Sequence, residues 1–323
     1  MLTLKDRFLF YSLFLAEFFA LKLSTGRGAQ QRMWKTFEAA LVKKFSPAGK
    51  NKLPIPVERV SNISPQDFSN EFLKKFKPVV LENFCGSWPA AEKWNFEYLM
   101  KHYGHLQIPV TKHDKMGEEL LSLEYLLSSY LNASEHRQVH FLPLFDAAPE
   151  LKSLLDSGPL RKLANLSEQM PFVSKPYIGP AHYCSNFHSD IGNNFLLNFC
   201  GEKTALLYPF SETPFLYPIA KIPLRHSFSF YAKFGRSSEP DFNAEKFPLV
   251  QFATPLEAKL FPGDVLFLPV FFWHQIHYDA PAIGVGNWWP DVKSNFSVSP
   301  LFSLFGSSQL ARAYHLFGRN GMS

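Results

Sequence analysis

Apolar residues run almost unbroken along the first part of the chain and then settle into two different rhythms. Over residues 8–23 only Ser12, Glu17 and Lys22 interrupt an apolar stretch. That pattern predicts a helix, but one too short and, with its central Glu17, too polar for a membrane span. As a secretion signal it lacks a clean small-residue cleavage site. Over residues 30–45, Met33, Trp34, Phe37, Leu41 and Phe45 recur at helical spacing, with Lys35, Lys43 and Lys44 elsewhere on the surface. The pair of helices reads as an extension that packs on the main domain or forms a dimer contact. A peripheral membrane anchor and a cleaved signal are the other readings.

Residues 46–56 are a linker by composition, and the rhythm changes after them. Residues 79–81, 107–111 and 136–144 predict strands, and 94–103, 122–132 and 150–163 predict helices. From 185 onward, short β segments are divided by Pro, Gly and Asn: 185–191, 194–200, 203–209, 257–261, 264–268, 273–278 and 282–289. The expected fold is therefore mainly β, a double-stranded β-helix or jelly roll with flanking helices. The expected organisation is a helical extension (1–50), a catalytic body (55–292) and a tail with a helix (293–323).

Composition agrees with a packed β fold. Of 323 residues, 46% are hydrophobic and 34 are Phe, which excludes a disordered chain. The net charge of +5 sits in residues 1–50, where nine Lys/Arg face three Asp/Glu. The near-neutral body argues against a nucleic-acid partner, and any contact with an anionic surface belongs to the N-terminus. Cys85, Cys184 and Cys200 form no disulfide framework, which suits a reducing compartment such as the cytoplasm.

The first candidate chemistry is His188-Ser189-Asp190. On a strand, residues two apart share a face, so both side chains enter one interior. With a distant His they would form the facial triad of non-haem iron oxygenases, which leaves metal positions open. A second triplet, His277-Tyr278-Asp279, shows that the pattern alone is weak. His274 lies on a predicted strand and can close a triad with His188. His277, three residues further on, faces the other way, to an outer face or a hydrogen-bonded edge.

With these residues in view the chain resembles the JmjC/cupin-like Fe(II)- and 2-oxoglutarate-dependent oxygenases, in particular small protein hydroxylases of the hypoxia-inducible-factor asparaginyl hydroxylase kind. The resemblance is carried by Ser185-Asn-Phe-His188-Ser-Asp190, Asn194-Phe-Leu, Gly201-Glu-Lys203, Pro262-Gly-Asp-Val-Leu-Phe-Leu-Pro269, Phe272-Trp-His274 and Asn287-Trp-Trp. It implies that His188, Asp190 and His274 hold Fe(II). It also implies that Lys203 pairs with the far carboxylate of 2-oxoglutarate, that Ser185 donates a hydroxyl there, and that Asn194 and Asn287 border the cosubstrate. Strand alternation puts Asn287 with Ile283, Val285 and Trp289. The five tryptophans Trp88, Trp94, Trp273, Trp288 and Trp289 read as packing.

One departure concerns a tyrosine that the family often places on an earlier strand. Residues 138–142 offer none, and His140 or Phe141 would stand there. The implied reaction uses O2 to hydroxylate a C–H bond, with a protein side chain as the first choice of substrate. A tRNA-base hydroxylase and a non-catalytic cupin-like binding module are the alternatives.

Overall fold

The computed structural model describes residues 2–23, 27–49, 51–111, 118–132, 144–219, 229–235, 243–291 and 296–299. Two helices come first, α1 (Leu4–Leu23) and α2 (Arg27–Phe45). The early strands are β1 (Ile55–Pro56), β2 (Arg59–Val60), β3 (Val79–Leu81), β4 (Gln107–Thr111) and β5 (Glu118–Ser122). Then follow β6 (Val173–Gly179), β7 (His188–Asp190), β8 (Asn193–Cys200), β9 (Lys203–Tyr208) and β10 (Ser229–Tyr231). The last four are β11 (Leu256–Leu260), β12 (Val265–Leu268), β13 (Trp273–Tyr278) and β14 (Ala282–Trp289).

These strands make two six-stranded sheets, ordered β1-β11-β9-β13-β7-β10 and β2-β3-β12-β8-β14-β6, with β4 and β5 paired apart. The sheets face each other across Ala205, Leu207, Leu260 and Ile276 from the first and Val80, Leu196 and Leu266 from the second. This is the expected jelly roll. Alternation sends the neighbouring residues outward. Behind the second sheet, Phe195, Leu197, Phe267 and Val285 pack under helices through Phe68, Trp94, Leu99 and Leu126. Behind the first, Phe187, Tyr208 and Trp273 join one cluster with Phe10, Leu13, Phe14, Phe37 and Leu41.

The α1–α2 pair is thus the cover of the metal-bearing sheet. Polar ties hold its edges: Lys233 Nζ bonds Glu17 at 2.9 Å, and Tyr217 Oη donates to Glu38 at 2.5 Å. Among the described residues, no helix is long and apolar enough to cross a membrane.

Several expectations shift in detail. The helix predicted over 94–103 starts at Phe96, where Asn95 accepts from the Tyr98 N–H as an N-cap. The 150–163 patch is two short helices, Glu150–Ser153 and Gly158–Leu163. β6 was not among the strands expected, and it contains Pro176. It lies at a sheet edge, where a missing N–H is tolerated. The strand expected over 136–144 lies almost wholly outside the described residues, as does the tail beyond 299. Cys85, Cys184 and Cys200 take part in no disulfide.

Candidate active site

β7 and β13 run antiparallel with His188 opposite His274, so the pleat turns both imidazoles and Asp190 into the interior. Asp190 Oδ1 lies 3.9 Å from His188 Nε2, and Oδ2 lies 3.8 Å from His274 Nε2. One ligand atom from each of the three falls within 4.8 Å of the others, an arrangement that fits a single metal ion. Backbone carbonyls fix both rings. His188 Nδ1 donates to Asn186 O at 2.6 Å and His274 Nδ1 to Phe272 O at 3.0 Å, which leaves each Nε2 lone pair aimed at the metal position.

Burial pushes the His274 imidazolium down to about 4, so the ring is neutral and ready to ligate near pH 7. Burial raises the Asp190 carboxyl, but the two imidazoles and two hydrogen bonds outweigh it and hold it below the usual value. Those bonds come from Ser229 Oγ to Oδ1 at 2.5 Å and from Trp288 Nε1 to Oδ2 at 3.0 Å. Neither was visible in the sequence pattern. Trp288 read as packing, yet it orients a metal ligand. Tyr231 on β10 stacks over His188 with ring centroids 5.8 Å apart.

Lys203 enters the same interior from β9, just after the hairpin turn at Gly201, whose φ of +71° suits glycine. It is 1% exposed, and its Nζ has no hydrogen-bond partner. The ammonium sits 4.8 Å from the centre of the Tyr278 ring. It also fills the space beside Gly284, where a Cβ would fall 2.5 Å from Nζ. Burial alone drives its pKa down to about 7. A buried cation without an acceptor calls for an anionic ligand.

The remaining candidates divide. Asn194 shares the inward row of β8 with Leu196, and its Oδ1 accepts from the Asn287 N–H at 3.0 Å. Ser185 Oγ accepts from the Ile276 N–H at 2.9 Å, which ties it to β13. Asn287 does not face the cavity. Gly284, Gly286 and Trp288 form the inward row of β14, so Asn287 points to the helix side, where its Oδ1 accepts from Ser174 Oγ at 2.5 Å. The grouping with Val285 and Trp289 was right, but that row is the outer one. Helices cover this sheet, so both faces are apolar and the sequence pattern does not tell inside from outside. His277 stands apart from the triad, bridged through its backbone to Cys184, with Nε2 3.7 Å from Cys184 Sγ.

Two facing sheets with an inward His-x-Asp…His triad define a metal-binding cupin barrel. Residues 65–295 match the cupin-like domain family, and the chain belongs to that family, in its JmjC type. Enzymes of this type use Fe(II) and 2-oxoglutarate. The chain is 30% identical over 234 residues to "Lysine-specific demethylase 8" of Xenopus tropicalis, covering 70% of this chain and 51% of that protein. It is 26% identical to "Jumonji C domain-containing protein 5" of Drosophila melanogaster, over 70% of this chain and 58% of the relative. To the human "tRNA wybutosine-synthesizing protein 5" it is 23% identical, over 74% and 79% respectively. The chain thus spans about half the length of the first two relatives.

Proposed function

We propose that this chain is an Fe(II)- and 2-oxoglutarate-dependent oxygenase that hydroxylates a C–H bond, with a protein side chain as its substrate. The observation that carries the reading is the buried Lys203 ammonium, which has no hydrogen-bond partner and faces the same interior as the triad. Three protein donors leave the other metal positions to exogenous ligands, and a dicarboxylate can reach the metal with one end and a lysine with the other. The bound pair would couple oxidative decarboxylation of 2-oxoglutarate, giving succinate and CO2, to insertion of one O2 oxygen into the substrate.

The chain's own part is to hold and to exclude. His188, Asp190 and His274 hold the metal, and Ser229 and Trp288 keep the carboxylate turned toward it. Lys203 anchors the far carboxylate in a low-dielectric setting where the pairing is strong. Leu207, Ile276 and Leu196 wall the interior against water. No acid–base pair is required, which agrees with Asp190 being the one carboxylate on an inward strand face among the described residues.

A protein substrate accords with the name of one relative, "Lysine-specific demethylase 8" of Xenopus tropicalis. The test is succinate formation from 2-oxoglutarate by the iron-loaded protein in air, with peptide products read by mass. Succinate from the wild type and none from His274→Ala supports the reading. Equal rates from the two would overturn it. Formaldehyde release would mark an N-methyl substrate, and a stable gain of one oxygen a hydroxylated side chain.

A further inference from the structure

The α1–α2 pair has two unlike faces. Phe10, Leu13 and Phe14 of α1 and Phe37 and Leu41 of α2 turn toward the first sheet and are buried with Phe187 and Trp273. The opposite side of α1 is exposed at Leu4, Phe8, Ser12 and Ala16, about one per turn, with Lys5 and Leu9 alongside. Leu4 and Phe8 are 87% and 76% exposed, and Met33 of α2 is 52% exposed. Folding alone does not call for large apolar side chains held out in a row on a helix whose other side is already packed.

Charge on the pair is sorted by the same division. Its three carboxylates are all tied: Asp6 to Lys44 at 2.5 Å, Glu17 to Lys233 at 2.9 Å and Glu38 to Tyr217 at 2.5 Å. Lys5, Arg32, Lys35 and Lys43 are exposed, and none has an acidic partner among the described residues. The outward side is therefore apolar and cationic at once.

We propose that this outward face docks on an anionic phospholipid surface, with α1 lying in the plane of the headgroups. Leu4, Phe8 and Leu9 enter the boundary between headgroups and acyl chains, and Lys5, Arg32, Lys35 and Lys43 meet the lipid anions. Charge complementarity selects this occupant. A second copy seated face to face would set the same cations against one another. The rest of the chain is near-neutral, so the attraction acts at this end and orients the molecule. The first sheet lies between this face and the triad, so the lipid contact and the metal site are separate.

The test is sedimentation of the full chain with vesicles of phosphatidylcholine, either alone or with about 30% phosphatidylserine. The wild type should pellet with the anionic vesicles at a lipid concentration at least about tenfold lower than with the neutral ones, and added salt should release it. Phe8→Ser, and separately the double change Lys5→Glu with Lys35→Glu, should each need at least about fivefold more anionic lipid. Both should keep the wild-type thermal transition and metal titration. Equal pelleting with the two lipids, no pelleting with either, or variants that sediment like the wild type would overturn the inference. Self-association without lipid that the same substitutions abolish would also overturn it and give the face to a second copy.

Discussion

Lys203 and Trp288 show how single residues set the chemistry, each through one contact. Because burial brings the Lys203 ammonium to about 7, the free site loses its charge as pH rises through neutrality. A bound carboxylate restores the charge by raising that pKa, so binding takes up a proton above pH 7. Affinity for 2-oxoglutarate should be full below pH 7 and then fall by up to about tenfold per pH unit. Calorimetry in two buffers of different ionisation enthalpy reads the proton directly, and a flat profile from pH 6 to 9 would contradict the assignment. Trp288→Phe keeps the ring but removes the 3.0 Å bond to Asp190. Metal affinity should drop by about 10-fold or more, as when an outer partner of a ligand is lost, and an unchanged metal titration would refute the role given to Trp288.

At the scale of elements, β14 decides where the cosubstrate can lie. Gly284→Ala would set a Cβ 2.5 Å from Lys203 Nζ and 2.4 Å from Leu197 O, so the lysine or the strand must move. We expect loss of 2-oxoglutarate binding with the metal still bound, checked by separate titrations of each. Retained 2-oxoglutarate affinity would mean the space beside Gly284 is not the site. The same strand shows what the sequence made legible. Its limits, its alternation and the shared face of His188 and Asp190 on β7 follow from residue spacing, because a period of two is a local property, whereas the set with His274 came from the family resemblance. Which row faces inward is set by the partner layers, so Asn287 was put on the wrong side and Trp288 passed for packing. β6 was not among the strands expected, because an edge position is a fact of topology. Ser229 was equally out of reach, since it meets Asp190 only through the β7–β10 pairing.

Over the whole molecule, the N-terminal helices and the metal strands share one apolar cluster, so their stability should be one quantity. Phe14 is 1% exposed within that cluster, whereas Phe8, on the same helix, is 76% exposed. Phe14→Ala should cost about 3–5 kcal/mol and lower a single thermal transition, while Phe8→Ala should stay within about 0.5 kcal/mol. Equal effects, or a separate early transition for Phe14→Ala, would show the helices to be an appendage. Sequence left the helices four readings: packing, a dimer contact, an anchor or a cleaved signal. Only the tertiary contacts of Phe10, Phe14 and Phe37 show the first.

The central claim is that one cavity holds Fe(II) and 2-oxoglutarate together. Its most direct test is an anaerobic titration of the full chain with both, following the visible charge-transfer absorption of the chelate. The account predicts a band that saturates in the wild type and is absent from His188→Ala, and that Lys203→Ala needs far more 2-oxoglutarate to develop. A wild type that binds neither, or a band that survives in His188→Ala, would contradict it and leave a cupin barrel without this chemistry.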